Sequence, residues 1–421
     1  MAWNWPWRHH AAQTQAHKAT APLEAQKATA PLEAQKATVP PSAKTQQGFV
    51  ALHMDAQARW TTRNYMALSQ QGFMRNPIVH RCVKMISDAA ANVPLLLYQG
   101  ETELEDHPLL KLLRAPHEGA CGSGFFEQLY GHLLLSGNAY VERLDYDGQA
   151  KELHLLRPER VTIESDNNGW PQALLYRNNT ASRRISLNAG FEACLSARGL
   201  HLRLFHPLDD HYGFPPLEAA LMALDIHNAI AAWNKALLDN SARPSGALVY
   251  APKDGGNLSE EQFDRLKTEL EEGYTGAGGA GRPLLLEGGL DWKAMGLSPK
   301  DMDFIEAKHV ASREIALAFG VPSMLLGIPG DNTYANYAEA NRAFYRLTIL
   351  PLLNRTAQAL SNWLCPFYGS DLRLEHDYDR IDGLAEEREA LWRRIGAADF
   401  LSDAEKRQAG GYSLEPEGRE P

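Results

Sequence analysis

Residues 215–239 read PPLEAALMALDIHNAIAAWNKALLD. Leu217, Leu221 and Leu224 fall on one stripe of a 3.6-residue period, and Ile226, Ile230, Trp233 and Leu237 fall on a neighbouring one. The spacing predicts a helix over 216–239, roughly 36 Å long at about 1.5 Å per residue. One apolar stripe suffices for a helix lying on a single core, so two stripes ask for partners on two sides. A second helix is signalled downstream by Ser298 as N-cap, Pro299 at the first helical position and Asp301, with Phe304, Ala311, Ile315 and Phe319 along one face. Between the two lies an insert, 246–297. It holds strand-like 247–250, a helix opened by the capping box Ser259-x-x-Gln262, a Gly-rich loop and strand-like 283–286. One helix departs, a small domain intervenes, and another helix comes back.

Upstream, the pattern is mixed. Asn76 as N-cap and Pro77 start a helix carrying Ile78, Val79, Val83 and Ile86 and ending near Asn92. A strand over 93–98 follows, then a helix over 125–135 behind the glycines of 119–124. The period then drops to two. Segments 140–145 and 152–156 flank Asp147-Gly148 as a hairpin, 161–164 and 174–177 flank Asp166-Asn-Asn-Gly169, and 200–205 is a further strand. This half is α+β.

Downstream, a loop over 321–331 precedes a long helical pattern, 333–364. It contains Pro351, whose ring collides with the carbonyl of Leu347 and predicts a bend. Helices over 384–395 and after Ser402-x-x-Glu405 close the pattern. At the other end, KATAPLEAQ at 18–26 recurs at 27–35 and continues as KATVPPSAK at 36–44. Each period offers one Leu or none and at least one Pro, which builds no packed core, so 1–47 reads as a flexible tail. Trp3, Trp5 and Trp7 at its tip read as an untethered terminus, with a docking peg as the alternative.

Composition narrows the function. With 44% hydrophobic and 22% charged positions over 421 residues, the chain matches soluble globular proteins of two or three domains rather than disordered or fibrous ones. The balance of 42 basic against 52 acidic residues, net −10, argues against a protein that grips nucleic acid by charge. No apolar run reaches the roughly 18 residues of a membrane span, and the start lacks a signal-peptide h-region, so a cytoplasmic product is expected. Cys82, Cys121, Cys194 and Cys365 form no Cys-x-x-Cys pair and read as buried free thiols. Gly276-x-Gly278-x-x-Gly281 lacks the strand before and helix after that a dinucleotide site needs, so it reads as a loop. No phosphate loop, His-Glu-x-x-His or Gly-x-Ser-x-Gly is present. His201, His206 and His211 recur every five residues, a spacing that shares a face of neither helix nor strand, so they read as loop residues rather than metal ligands. Asp301 and Asp303 read as helix first-turn acids. No catalytic residue, cofactor or metal is indicated.

Several stretches together carry a resemblance: Asn76-Pro-Ile-Val to Val93-Pro-Leu, His107-Pro-Leu-Leu-Lys-Leu-Leu, Leu135-Ser-Gly-Asn-Ala-Tyr140, Leu155-Leu-Arg-Pro-Glu-Arg-Val161, Gly213-Phe-Pro-Pro-Leu217, Phe319-Gly-Val-Pro-Ser-Met-Leu-Leu-Gly327, Thr333-Tyr-Ala-Asn336 and Thr348-Ile-Leu-Pro-Leu-Leu353. In this order, over about 60–370, the chain resembles the portal proteins of tailed bacteriophages, in the branch typified by the Hong Kong phage and shared by gene transfer agents. The resemblance implies an α+β portal fold assembled as a ring of about twelve subunits at one capsid vertex, through which double-stranded DNA is packaged and leaves. It implies as partners the large terminase motor, a head–tail adaptor and the major capsid protein, with no membrane. The location is the virion's portal vertex, after assembly in the bacterial cytoplasm.

On that resemblance the chain divides into tail 1–47, wing 48–214, stem helix 215–245, clip 246–297, returning stem helix 298–320, tunnel loop 321–332, kinked tunnel helix and wing return 333–370, and a short crown-like helical region 371–421. The channel loop would comprise Gly327, Gly330, Asp331, Asn332, Thr333, Tyr334 and Asn336, in a stretch from Glu314 to Asn341 without Lys or Arg. The clip carries five basic residues against nine acids, and its Glu269, Glu271 and Glu272 would meet the motor and later the adaptor. Two other classes stand beside this one: a monomeric scaffold or adaptor, and a nucleic-acid-processing enzyme. Because the repeats offer no apolar periodicity, deleting residues 2–44 should leave soluble rings intact. Loss of rings from that truncation in negative-stain images would make the tail structural.

Overall fold

The computed structural model describes residues 60–411 apart from 147–148, 179–180, 188–196, 240–245, 251–289 (save 259, 261, 262, 264, 265 and 268), 295–302, 330–333 and 370. The nonapeptide repeats, Cys194 and the glycine motif of 276–281 lie outside the described residues. A short helical turn, Tyr65–Ala67, widens into π-helical Leu68–Phe73 and leads to α1, Pro77–Ala91. Asn76 caps α1 as expected: its Oδ1 accepts the N–H groups of Ile78 at 3.0 Å and Val79 at 3.2 Å. Val79, Cys82, Val83 and Ile86 are buried. Strand β1, Leu95–Gln99, pairs antiparallel with β2, Thr102–Glu103. Then come α2, Pro108–Arg114, and α3, Gly122–Ser136, which begins ahead of the expected 125. Gly122 permits this early start, because a methyl there would overlap the Leu113 carbonyl at the end of α2.

Strands β3, Asn138–Tyr146, and β4, Gln149–Leu156, form the expected hairpin, with Tyr140 opposite Leu156 and a bulge at Leu144/Asp145. Strands β5, Val161–Ser165, and β6, Pro171–Arg177, are joined by the expected turn. In that turn Asp166 Oδ1 accepts from the Asn168 and Trp170 amides, and Gly169 stands at φ 85°. Two strands complete this region: β7, Ser182–Ser186, which pairs with β6, and β8, Gly199–Arg203, which pairs with β3. The two three-stranded sheets enclose a small core of Tyr140, Leu156, Val161, Leu174 and Ile185.

The predicted helix over 216–239 is interrupted at Ala220. It divides into α4, Pro216–Ala219, and α5, Leu221–Asp239. Leu217 wedges against Gly72, where a Cβ would come within 2.6 Å of it, and the Ala220 N–H turns back to the Leu217 carbonyl, closing the first turn before the long helix begins. The second expected helix is α6, Phe304–Ala318; its signals at 298–301 lie outside the described residues. Asp303 is not a first-turn acid. It precedes the helix at φ 49° and caps no amide with its side chain. α5 packs on α6, with the Trp233 and Phe304 rings 4.5 Å apart. Of the insert, β9, Gly246–Tyr250, pairs with β10, Leu290–Ala294, a strand not expected. The expected strand at 283–286 lies outside the described residues. The Ser259/Gln262 capping box is made in both directions, at 3.1 and 3.3 Å.

The long helical pattern resolves into α7, Tyr334–Phe344, a π-helical turn, Tyr345–Ile349, and α8, Leu350–Leu364. Pro351 is therefore met by a widened turn, in which the Leu350 N–H reaches back five residues to the Tyr345 carbonyl. Strand β11, Leu372–His376, returns to β1, with His376 opposite Leu95. Finally α9, Ala385–Gly396, precedes α10, Asp403–Ala409, which opens on the expected capping box at Ser402 and Glu405.

Two readings of polar residues are corrected. Cys121 is exposed rather than buried, because it stands ahead of the first turn of α3, whereas Cys82 and Cys365 are buried. His201 is not a solvated loop residue: as a β8 residue it stands opposite Tyr140, stacked at 4.6 Å, and its Nε2–H donates to Asn138 Oδ1 at 2.9 Å. Burial lowers the His201 pKa to about 3, so the ring is neutral. The same Asn138 oxygen accepts the Gly213 N–H at 2.7 Å, and the Asn138 amide donates to the Ser136 carbonyl at 2.8 Å. Gly137, at φ 74°, ends α3, and its carbonyl takes the Leu204 N–H at 2.8 Å. A methyl on Gly213 would overlap the Gly137 carbonyl oxygen. Gly213→Ala should therefore lower the unfolding free energy by about 3 kcal/mol or more, or prevent soluble folding. Gly131→Ala, in open space within α3, should raise stability by about 0.5–1 kcal/mol. Chemical denaturation measures both, and equal melting of the two variants would contradict the close approach.

Candidate channel-lining site

The segment joining α6 to α7 is held at its base and open at its tip. Gly320 follows α6 at φ 68°, and its carbonyl accepts the Thr348 hydroxyl from the π-helical turn at 2.6 Å. A 3-10 turn, Ser323–Leu326, then ends at Gly327, φ 70°. Nothing lies within 4 Å of a Cβ built on Gly327, so backbone angle rather than packing selects glycine there. Ile328 is buried, and the Pro329 carbonyl accepts from Arg313 Nη2 at 2.7 Å. Of the expected channel residues, Gly330, Asp331, Asn332 and Thr333 lie outside the described residues. Tyr334 opens α7, and Asn336 and Tyr337 are exposed in its first turn. Thus Gly327 and Asn336 stand on either side of the undescribed tip.

The stretch from Glu314 to Asn341 has no cation of its own, yet cations border it, and they are engaged. Arg313, which sequence reasoning did not single out, reaches Glu306 at 3.5 Å as well as the Pro329 carbonyl. Arg342 pairs with Glu339 at 3.0 Å and with Glu386, and Arg346 with Glu387 at 3.6 Å. The Arg313–Glu306 spacing of seven along one helix face was a readable signal; the return to Pro329 was not. Among the described residues no cluster of His, Cys, Asp or Glu is placed to hold a metal ion, and no helix is long and apolar enough to cross a membrane. Glu269, Glu271 and Glu272 lie outside the described residues.

A second residue the sequence did not flag is Arg143. It is fully buried on β3, donates from Nε to Asp145 Oδ1 at 2.7 Å and lies 3.3 Å over the Phe367 ring. Burial lowers its pKa, opposed by Asp145. It fastens the hairpin to the end of α8, so its part is structural.

Residues 77–411 match the family model of the phage portal protein. The portal protein of Enterobacteria phage HK97 is 23% identical over 367 residues, spanning 84% of this chain and 82% of that protein. Among solved structures, the neck of an empty gene transfer agent particle, computed with C6 symmetry, contains a chain 49% identical to this one. It superposes with a TM-score of 0.67 over 86% of this chain and 96% of that one. The neck of a native particle of the same kind, computed with C12 symmetry, gives 49% identity and a TM-score of 0.64 over 86% of this chain and 97% of that one. The order of motifs, the helix pair with its inserted hairpin and the match over four-fifths of the chain agree, and the chain belongs to the phage portal protein family, in the branch shared by phage HK97 and gene transfer agent particles.

Proposed function

We propose that the protein closes into a ring of about twelve copies at one vertex of a phage or gene transfer agent particle, giving double-stranded DNA its way in and out. The observation that carries this is the outer surface of the α5–α6 pair. Packed on each other, the two helices still leave Met222 65%, Ile226 40%, Ile305 75% and Leu317 79% exposed. Apolar groups presented in this way on paired helices ask for a further partner, and a neighbouring copy supplies one at every position of a ring. The gene transfer agent neck computed with C12 symmetry supports the same number.

In this reading 215–245 and 298–320 are the stem, 246–297 the clip and 48–214 the wing. Loop 321–332 faces the channel, with 333–370 as tunnel helix and wing return. The clip, through Glu269, Glu271 and Glu272, docks the terminase motor and later the head–tail adaptor, while the outer rim meets the major capsid protein. Assembly takes place in the bacterial cytoplasm. The protein's own part is structural, and the motor supplies the work.

Electrostatics supports passage rather than grip. Each Lys or Arg that neutralises a phosphate adds binding that must be undone as DNA advances. Twelve copies at −10 each amount to about 120 negative charges before counterions. The cations around the loop are engaged with carboxylates of their own chain.

Two outcomes are expected. Native mass spectrometry and negative-stain imaging at micromolar concentration should give rings of about twelve; a monomeric mass without rings would overturn the assignment and favour a monomeric adaptor. Replacing Asn332 and Asn336 by Lys should leave rings unaffected and slow or stall DNA packaging, more severely at low salt, because screening weakens the added phosphate contacts. Unchanged packaging by rings carrying both lysines would remove this loop from the channel wall.

A further inference from the structure

Between α2, the start of α3 and the β1–β11 pair lies a cavity of about 290 Å³. That is roughly twice the ~150 Å³ of an apolar cavity that admits benzene. Its walls include Val93, Leu95, Leu110, Leu113 and Phe126. Two features break this apolar lining. His376, only 4% exposed, lines the cavity, and neither of its ring nitrogens has a hydrogen-bond partner. Burial lowers its pKa to about 4, so at neutral pH the ring holds one donor and one acceptor, both unanswered. Buried polar atoms are ordinarily paired, so this ring calls for a polar guest.

The other feature is electrostatic. Gly122 and Ser123, in the first turn of the fifteen-residue α3, line the same cavity, and the N-cap residue Cys121 makes no side-chain cap bond. The positive end of the helix dipole therefore faces the space. Arg114 also lines it and makes no ion pair among the described residues. One cation and one helix end suit a single negative charge, while the walls exclude a heavily hydrated dianion.

We propose that this cavity binds a small monocarboxylate with an apolar body. Its carboxylate takes the His376 N–H and lies in the field of Arg114 and the α3 N-terminus, and its body lies among the apolar walls. The site is independent of the channel and of ring closure.

The probe is phenylacetate, titrated into the full-length protein by calorimetry, with phenylacetamide and inorganic phosphate as comparisons. Cys121 supplies a local readout: it is exposed at the cavity rim while Cys82 and Cys365 are buried, so iodoacetamide labelling followed by peptide mass spectrometry reports occupancy. Phenylacetate should bind in the millimolar range or tighter, the amide about tenfold or more weaker, and phosphate undetectably. Bound phenylacetate should slow Cys121 labelling. Arg114→Gln, at an exposed position, should weaken phenylacetate about fivefold, and His376→Leu should abolish its binding. Equal affinity for acid and amide, labelling of Cys121 indifferent to phenylacetate, or full affinity in Arg114→Gln would each overturn the proposal. If His376→Leu does not fold, those three comparisons decide alone.

Discussion

The backbones of Gly137 and Gly213 lie against each other, and the rest of the molecule is arranged around that contact. No side chain larger than hydrogen fits at Gly213, so α3 can end, β3 begin and the chain turn into α4 within one small volume. Asn138 fills the corner, its oxygen accepting from His201 and Gly213 while its amide is answered by Ser136. Neutral hydrogen bonds of this sort contribute about 1 kcal/mol each, and breaking one partner in a buried network costs more than its share. A second joint is the N-cap Asn76, whose amide donates to His227 Nδ1 and Asn228 Oδ1 on α5. Burial lowers the His227 pKa and keeps that ring neutral, as an acceptor must be. The helix pair is thus anchored to the mixed region at two points by groups that admit little substitution.

The same two joints explain what was legible. Asn76-Pro77, Asp166-Asn-Asn-Gly169 and Ser402-x-x-Glu405 are local devices whose partners lie within four residues, and each forms where the sequence places it. Strands β7 and β11 are different. Ser182-Arg-Arg-Ile-Ser186 has one apolar residue, and β11 finds its partner β1 from the far end of the chain. His201 read as a loop residue because histidine spacing says nothing of a strand neighbour such as Asn138. At the channel site, Gly327 was legible because a left-handed residue selects glycine, and the absence of Lys and Arg from 314 to 341 was legible by inspection. The reach of Arg313 to Pro329 and the burial of Arg143 against Phe367 were not, since both depend on where a long side chain ends after the fold has formed.

Charge is handled locally more than the net value suggests. Arg313, Arg342 and Arg346 surround the α6–α7 connection, and each has a carboxylate of the same chain within 4 Å. Exposed pairs of this kind add little to stability. Their effect is on the surface potential: a guanidinium already occupied by Glu306, Glu339 or Glu387 presents less positive field to anything passing near it. An acidic chain can thus carry arginines beside a polyanion's path and remain a poor binder of it.

Buried residues along the last long helix run Phe344, Ile349, Leu353, Ala357, Leu360 and Leu364. The intervals are those of an α-helix except the first, which is longer by one residue and coincides with the π-helical turn. Each residue advances an α-helix by about 100°, so this turn works as a phase shifter between two helices that share an axis but not a register. A homologue lacking one residue between Tyr345 and Ile349 would keep α8 seated in the core while α7 rotated by about that angle. It would bring other side chains to where Asn336 and Glu339 now stand, changing the chemistry of that surface by a deletion alone, with every residue on it conserved.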